Sequence, residues 1–218
     1  MTIHTTLFRF IRENRGFLAF VVLMTCFRSA LADWNAVPTA SMKPTIIEGD
    51  RVLVNKIAYD LRVPFTGISL QHYADPERGD IITFESEHAD MRLIKRVVGV
   101  PGDTISMINN HLIINGEMQK YRFLSKDEHG YLIEEQLGKV RHRIRVADHP
   151  SPYSNFGPVT IPAGQYLVLG DNRDNSADSR VHGLVPMSEI RGRANHVVIS
   201  LDYDNFYLPR SERVYQPL

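Results

Sequence analysis

Cysteine is almost missing from this chain: Cys26 stands alone among 218 residues, so no intrachain disulfide can form, and no Cys/His cluster has the spacing of a zinc site. Net charge is missing as well. The 25 basic and 25 acidic residues cancel, which leaves no overall field to recruit nucleic acid, and no nucleic-acid partner is expected. Nine histidines are scattered without an HExxH pair. The Gly-x-Ser-x-Gly elbow, Ser-x-x-Lys, the glycine-rich phosphate loop and the dinucleotide fingerprint are also absent, which sets aside the commonest hydrolases and nucleotide enzymes. Neither a metal nor a cofactor is expected. After residue 35 no segment keeps a long helical period, and nothing repeats.

What is present begins with an apolar stretch. Arg9, Arg12 and Arg15 precede Gly16-Phe-Leu-Ala-Phe-Val-Val-Leu-Met-Thr-Cys-Phe27, twelve residues in which Thr25 is the one polar member. Twelve are too few for a bilayer core, which needs roughly 17 to 25, but continuing through Arg28 and Ser29 to Ala32 reaches the lower limit, with Trp34 suited to the aromatic belt. Three readings follow: a retained anchor over 16–34, a cleavable signal ending at Ala30-Leu-Ala32, or a docked helix. In the first, the arginines keep residues 1–15 in the cytoplasm and place everything after Trp34 on the outer side of a single-pass protein.

Beyond residue 35 the chain reads as mainly β. Arg51–Asn55, Asp80–Phe84, Leu93–Val100, Thr104–Ile108, His111–Ile114, Gln165–Leu169 and His196–Leu201 are short β-branched runs punctuated by Gly, Pro, Asn and Asp. Asn109-Asn110 reads as a two-residue hairpin turn. Residues 119–160 carry many charges and weaker alternation, so they read as an inserted cap subdomain between body segments 35–118 and 161–218.

Two residues suggest chemistry. Ser41 lies in Val37-Pro-Thr-Ala-Ser-Met-Lys-Pro-Thr45 and Lys95 in Arg92-Leu-Ile-Lys-Arg-Val-Val98. Alternation along an extended segment puts Leu93, Lys95, Val97 and Gly99 on one face. If that face packs inward, desolvation lowers the lysine pKa and makes it a candidate base for a serine nucleophile. The plainer alternative is a lysine snorkelling at a strand edge. The segment Gly170-Asp-Asn-Arg-Asp-Asn-Ser-Ala-Asp-Ser-Arg180 tempts a calcium-loop reading, but Arg173 falls where a ligand is needed. Internal pairing of Asp171, Asp174 and Asp178 with Arg173 and Arg180 fits better.

Ser41-Met-Lys-Pro-Thr45, Gly49-Asp-Arg-Val-Leu-Val-Asn-Lys56, Arg92-Leu-Ile-Lys-Arg-Val-Val-Gly-Val-Pro-Gly-Asp103 and Gly170–Arg180, in that order after an apolar segment, resemble type I signal peptidase. The resemblance implies a signal-peptidase-like β fold of antiparallel sheets with one N-terminal transmembrane helix, in the inner membrane with the catalytic domain on its periplasmic side. It implies Ser41 as nucleophile, Lys95 as general base, and Thr39 with the Ser41 backbone N–H as oxyanion hole. Ser176 would orient the lysine, Asp178 and Arg180 would form a supporting ion pair, and Met42 would line a substrate pocket. The implied partners are the lipid bilayer and exported preproteins with small residues at −3 and −1.

Two positions depart from the family pattern. Ala40 replaces a usual glycine and would be strained at positive φ, and His182 stands where an aromatic is frequent. Alternatives that stay open are a specialised relative maturing one substrate, a self-cleaving SOS-type repressor relative, which lacks room here for a DNA-binding module, and a non-catalytic module binding exported chains.

Overall fold

The computed structural model describes residues 9, 12–149 and 151–218. Most of segment 1–15, and Pro150, therefore lie outside the described residues. The apolar run forms a helix over Arg15–Ala30, with Arg28 in its last turn where a cation complements the helix dipole. Phe17, Phe20, Val22 and Leu23 are each at least 60 % exposed on it. Sixteen residues at 1.5 Å each give about 24 Å, short of a bilayer core of about 30 Å. Among the described residues no helix is long and apolar enough to cross a membrane.

The anchor expected over 16–34 is thus cut short by the sheet. Ala32–Ala36 is a strand paired antiparallel with Asp50–Asn55, Trp34 opposite Leu53. Asp33 and Trp34 belong to the β body because backbone pairing to the next strand claims them.

The body is mainly β, built of antiparallel sheets. Its largest sheet runs in the order Ala32–Ala36, Asp50–Asn55, Ile190–Asp202, Ile81–Ser86, Met91–Gly99, Gln165–Leu169, Val185–Pro186. Leu208–Pro209 and Gln216–Pro217 also pair with Ile190–Asp202. The turn at Asn109-Asn110 has positive φ at both residues, 48° and 63°, as a two-residue hairpin with the right twist requires.

Segment 119–160 divides. Lys120–Asp127, Gly130–Leu137 and Val140–Val146 form their own three-stranded sheet, whereas Phe156–Thr160 pairs back onto Thr104–Ile108 in the main body. Leu137 connects the two parts by burying itself in a core cluster with Ile105, Leu112 and Leu169. A second cluster, Tyr59, Ile82, Val97, Tyr166 and Val168, fills one face of the large sheet. A third holds Val37, Met42, Ile46, Val52, Ile81 and Ala194, and it pins the segment carrying Ser41 to the sheet.

Candidate active site

Ser41 sits at the middle of one 3-10 turn, Ala40–Met42, entered from extended Thr39 and left through extended Lys43. Met42 fixes that turn. Its side chain has no exposed surface and packs among core residues, so in this structure it is a buried anchor and does not border an open pocket. The positive-φ residues of the chain do not include Ala40, so the β-carbon beside Ser41 carries no left-handed strain.

Lys95 comes from the strand Met91–Gly99, opposite Ile82, and is only 2 % exposed. Val97 on the same face is buried, and Leu93 packs partly buried against the same cluster. The ammonium lies 2.7 Å from Ser41 Oγ. Burial lowers the lysine pKa to about 8, against the opposing pull of Asp178 and Asp171 and with the help of Arg180. When protonated, Nζ donates to Oγ; once neutral, the same contact lets the serine hydroxyl donate to Nζ.

Thr39 Oγ1 stands 3.5 Å from Ser41 Oγ at the exposed side of the turn. Ser176 behaves differently from the expectation. Its Oγ is buried without a hydrogen-bond partner among the described residues, so no bond to Lys95 is formed here. It packs against Gly170, where a β-carbon would run into both Ser176 Oγ and the Ser41 carbonyl oxygen. A glycine is what permits this approach.

The loop 170–180 is held from three directions. Asp178 takes Arg180 in a two-pronged pair at 2.8 and 2.7 Å, and its Oδ2 also accepts from Gly170 N. Asn172 N donates to Ser41 O and Asn172 Nδ2 to Ala40 O, both at 3.1 Å, which ties the loop to the Ser41 turn. Sequence reasoning passed over Asn172, although its place in the loop motif was a signal.

The internal pairing expected for Asp171, Asp174 and Arg173 does not occur. Asp171 binds Arg96 through two bonds and accepts from Thr45 Oγ1. Asp174 accepts from Asn110, Ser154 and Ala147 N. Arg173 reaches out of the loop to Glu135 on the inserted sheet. The physical reason is burial: Asp171 and Arg173 are each 1 % exposed, and loop neighbours leaving in other directions cannot follow them inward.

Glu135 also accepts from Tyr121 OH at 2.6 Å and lies 3.1 Å from His142 Nε2. Burial alone would raise its pKa, but Arg173 and His142 hold it well below the carboxylate range. Burial lowers the His142 pKa, with Arg96 adding to the effect. Backbone bonds reinforce this junction: Arg145 N donates to Asp171 O, and Arg173 N donates to Arg145 O. No group of three or more potential metal ligands occurs among the described residues.

A buried lysine bonded to a serine, with a small loop braced behind both, can pair a base with a hydroxyl nucleophile. The family described as signal peptidase, peptidase S26, matches residues 11–199. The chain belongs to the signal peptidase family. Signal peptidase I of Pseudomonas fluorescens is 34 % identical over 221 residues, covering 94 % of this chain and 78 % of the relative. Signal peptidase I P of Bacillus subtilis subsp. natto is 34 % identical, covering 81 % and 82 %. A crystal structure of a signal peptidase I from Enterococcus faecalis V583 aligns at 29 % identity with 55 % of this chain and 97 % of its own, with a TM-score of 0.39. Family membership makes the chain a peptidase, a hydrolase of peptide bonds.

Proposed function

We propose that the protein removes signal peptides from exported preproteins, with Ser41 as nucleophile and Lys95 as general base. The observation that carries this is the 2.7 Å contact between Nζ and Oγ at a lysine whose pKa burial lowers to about 8. At neutral to mildly alkaline pH a useful fraction of that lysine is unprotonated.

Neutral Lys95 takes the Ser41 proton as Oγ bonds to the scissile carbonyl carbon. The carbonyl π electrons move onto oxygen, where the Ser41 backbone N–H and Thr39 hydroxyl donate to the oxyanion. The tetrahedral species then breaks its C–N bond. The Lys95 ammonium returns its proton to the departing amine, the new N-terminus of the mature chain, and leaves the signal peptide as an ester on Oγ. A water gives a proton to Lys95, attacks the ester carbonyl and frees the signal peptide carboxylate, with Oγ recovering its proton. Ser176, whose hydroxyl lacks a partner in this structure, is free to turn its Oγ to the ammonium during the reaction and orient it. Asp178 and Arg180 keep that loop in place.

The exposed apolar helix supports a seat in the lipid bilayer. At its base Phe65, Ile68, Leu70 and Trp34 are also exposed, and Phe65 N bonds Ser29 Oγ at 2.7 Å, so an apolar rim continues from helix to β body. In this reading the helix together with the apolar rim at its base forms the single anchor, the segment before Arg15 is cytoplasmic, and the catalytic body lies on the outer, periplasmic face of the inner membrane. Membrane fractionation followed by protease treatment of intact and opened spheroplasts tests this orientation.

The deciding experiment is cleavage of a purified preprotein by the full chain in detergent. Ser41→Ala and Lys95→Ala should each abolish cleavage without unfolding the protein. Near-normal turnover by Lys95→Ala would overturn the dyad.

A further inference from the structure

A cleft of about 720 Å³ plays no part in the dyad chemistry. It opens behind the nucleophile loop, where Pro44 and Thr45 form one border, and it runs between the inserted sheet and the strand Ile190–Asp202. Its lining is cationic. Arg141 and Arg143 lie along it, both exposed, and among the described residues neither guanidinium has a hydrogen bond or ion pair. Glu134, the residue opposite Arg143, gives its carboxylate to Arg122 at 3.0 Å. Arg193 lies across the cleft, 3.5 Å from Asp80, and Asp80 already accepts from Tyr59 OH and Glu77 N. Asp80 is the one carboxylate side chain on the lining.

Arg96 and Arg193 already face Asp171 and Asp80, so the charge left for a ligand is that of Arg141 and Arg143, and it favours ligands of the opposite sign. The strand Val140–Val146 that lines the cleft is the outer strand of its sheet; Arg145 gives its outward backbone bonds to the loop 170–180, and the edge at Arg141 and Arg143 is left for an extended polypeptide to lie against.

Which part of a polypeptide reaches the cleft follows from the segment that carries Ser41. The strand Ala32–Ala36 at the base of the helix leads into it, Ser41 holds the dyad, and Pro44 and Thr45, three and four residues on, border the cleft. Helix base, dyad and cleft are thus met in that order. An apolar signal segment belongs beside the apolar helix, so a chain lying across the dyad carries its mature part towards the cleft.

We propose that this groove binds acidic residues in the mature part of the preprotein, past the scissile bond. This rests on the signal peptidase reading. Thr45 is four residues from Ser41, at most roughly 14 Å along extended backbone, so the acidic residues begin no more than about four positions after the cut. An anionic lipid headgroup offers similar charge, but no residue of the helix or of the strand Ala32–Ala36 lines the groove.

The test uses the full chain in detergent and preproteins that differ only in an Asp-Glu or a Lys-Lys pair placed about four to ten positions into the mature region. The acidic substrate should show a KM lower by about fivefold to tenfold at low salt, with kcat unchanged and the difference shrinking as salt rises. Arg141→Gln/Arg143→Gln should erase the preference and Arg141→Glu/Arg143→Glu should invert it. Both should still cleave a short peptide ending just past the cut at the wild-type rate.

Equal KM values in the wild type, or a preference that both double variants retain, would overturn the groove while leaving the peptidase reading intact. Failure of the wild type to cleave any preprotein would overturn that reading and the groove with it. Cosedimentation with phosphatidylglycerol and phosphatidylcholine vesicles forms the last arm. Variants that lose binding to the anionic vesicles but keep the substrate preference would assign the arginines to lipid and sink the proposal.

Discussion

Lys95 and Arg96 are neighbours in sequence, nearly equally buried at 2 % and 4 % exposed, and they face opposite sides of one strand. On the Arg96 side a carboxylate meets the cation head-on, through bonds of 2.8 and 2.7 Å from Asp171. On the Lys95 side the ammonium meets a hydroxyl, and its nearest carboxylates act only at a distance. Burial is therefore common to both, and the contact partner decides what burial does. A paired guanidinium becomes a fixed brace, whereas an unpaired ammonium becomes a group ready to lose its proton.

The largest effect that probes this contrast is Lys95→Arg. It keeps a cation at the site but one that stays protonated, so turnover of a preprotein should fall as far as with Lys95→Ala, on the order of 10⁴-fold or more. Activity within tenfold of wild type would show that charge, and not proton transfer, is what the site uses.

Next comes Asp171→Asn, which leaves Arg96 buried without its counter-ion. It should cost about 3 to 5 kcal/mol in denaturant unfolding, and the double variant Asp171→Asn/Arg96→Met should recover part of that.

The pH profile is gentler. Lys95 must be neutral to act, and its pKa is lowered from 10.5 to about 8, so kcat/KM should climb with pH, gaining tenfold per unit below about 8 and levelling off above it. A plateau already reached near pH 6 would place the base elsewhere.

The smallest change is Ala40→Gly. Because Ala40 carries no positive φ, glycine relieves nothing, and stability and kcat/KM should move by less than about 1 kcal/mol.

Much of the body was legible in the sequence. His111–Ile114 and Gln165–Leu169 form with the bounds their β-branched runs predict, and the Asn109-Asn110 turn follows from side chains that tolerate positive φ. The inserted strands were not visible, because Lys120–Asp127 is mostly exposed and has too little apolar alternation to announce a strand. Ala32–Ala36 was hidden for the opposite reason, lying directly after an apolar run that drew its residues into an expected anchor.

The site was legible unevenly. Ser41 and Lys95 stood out through motif and strand face, and the structure brings them together. Met42 could not be sorted between pocket and core, since an apolar residue beside a nucleophile suits either until its neighbours are known. The ties from Glu135 to Arg173 and from Arg96 to Asp171 join residues 38 and 75 positions apart, and no local pattern encodes such pairs.

The backbone bonds between Arg145 and the loop 170–180 bear on how this chain could be shortened. Replacing residues 120–146 by a tight turn would remove the donor to Asp171 O, the acceptor for Arg173 N and the carboxylate that neutralises Arg173. A trimmed enzyme would keep every reacting atom and still lose its centre, since a buried guanidinium without a counter-ion would pull the loop towards water. The inserted sheet is thus a splint: it carries neither Ser41 nor Lys95, yet the chain cannot be pared back to the dyad without it.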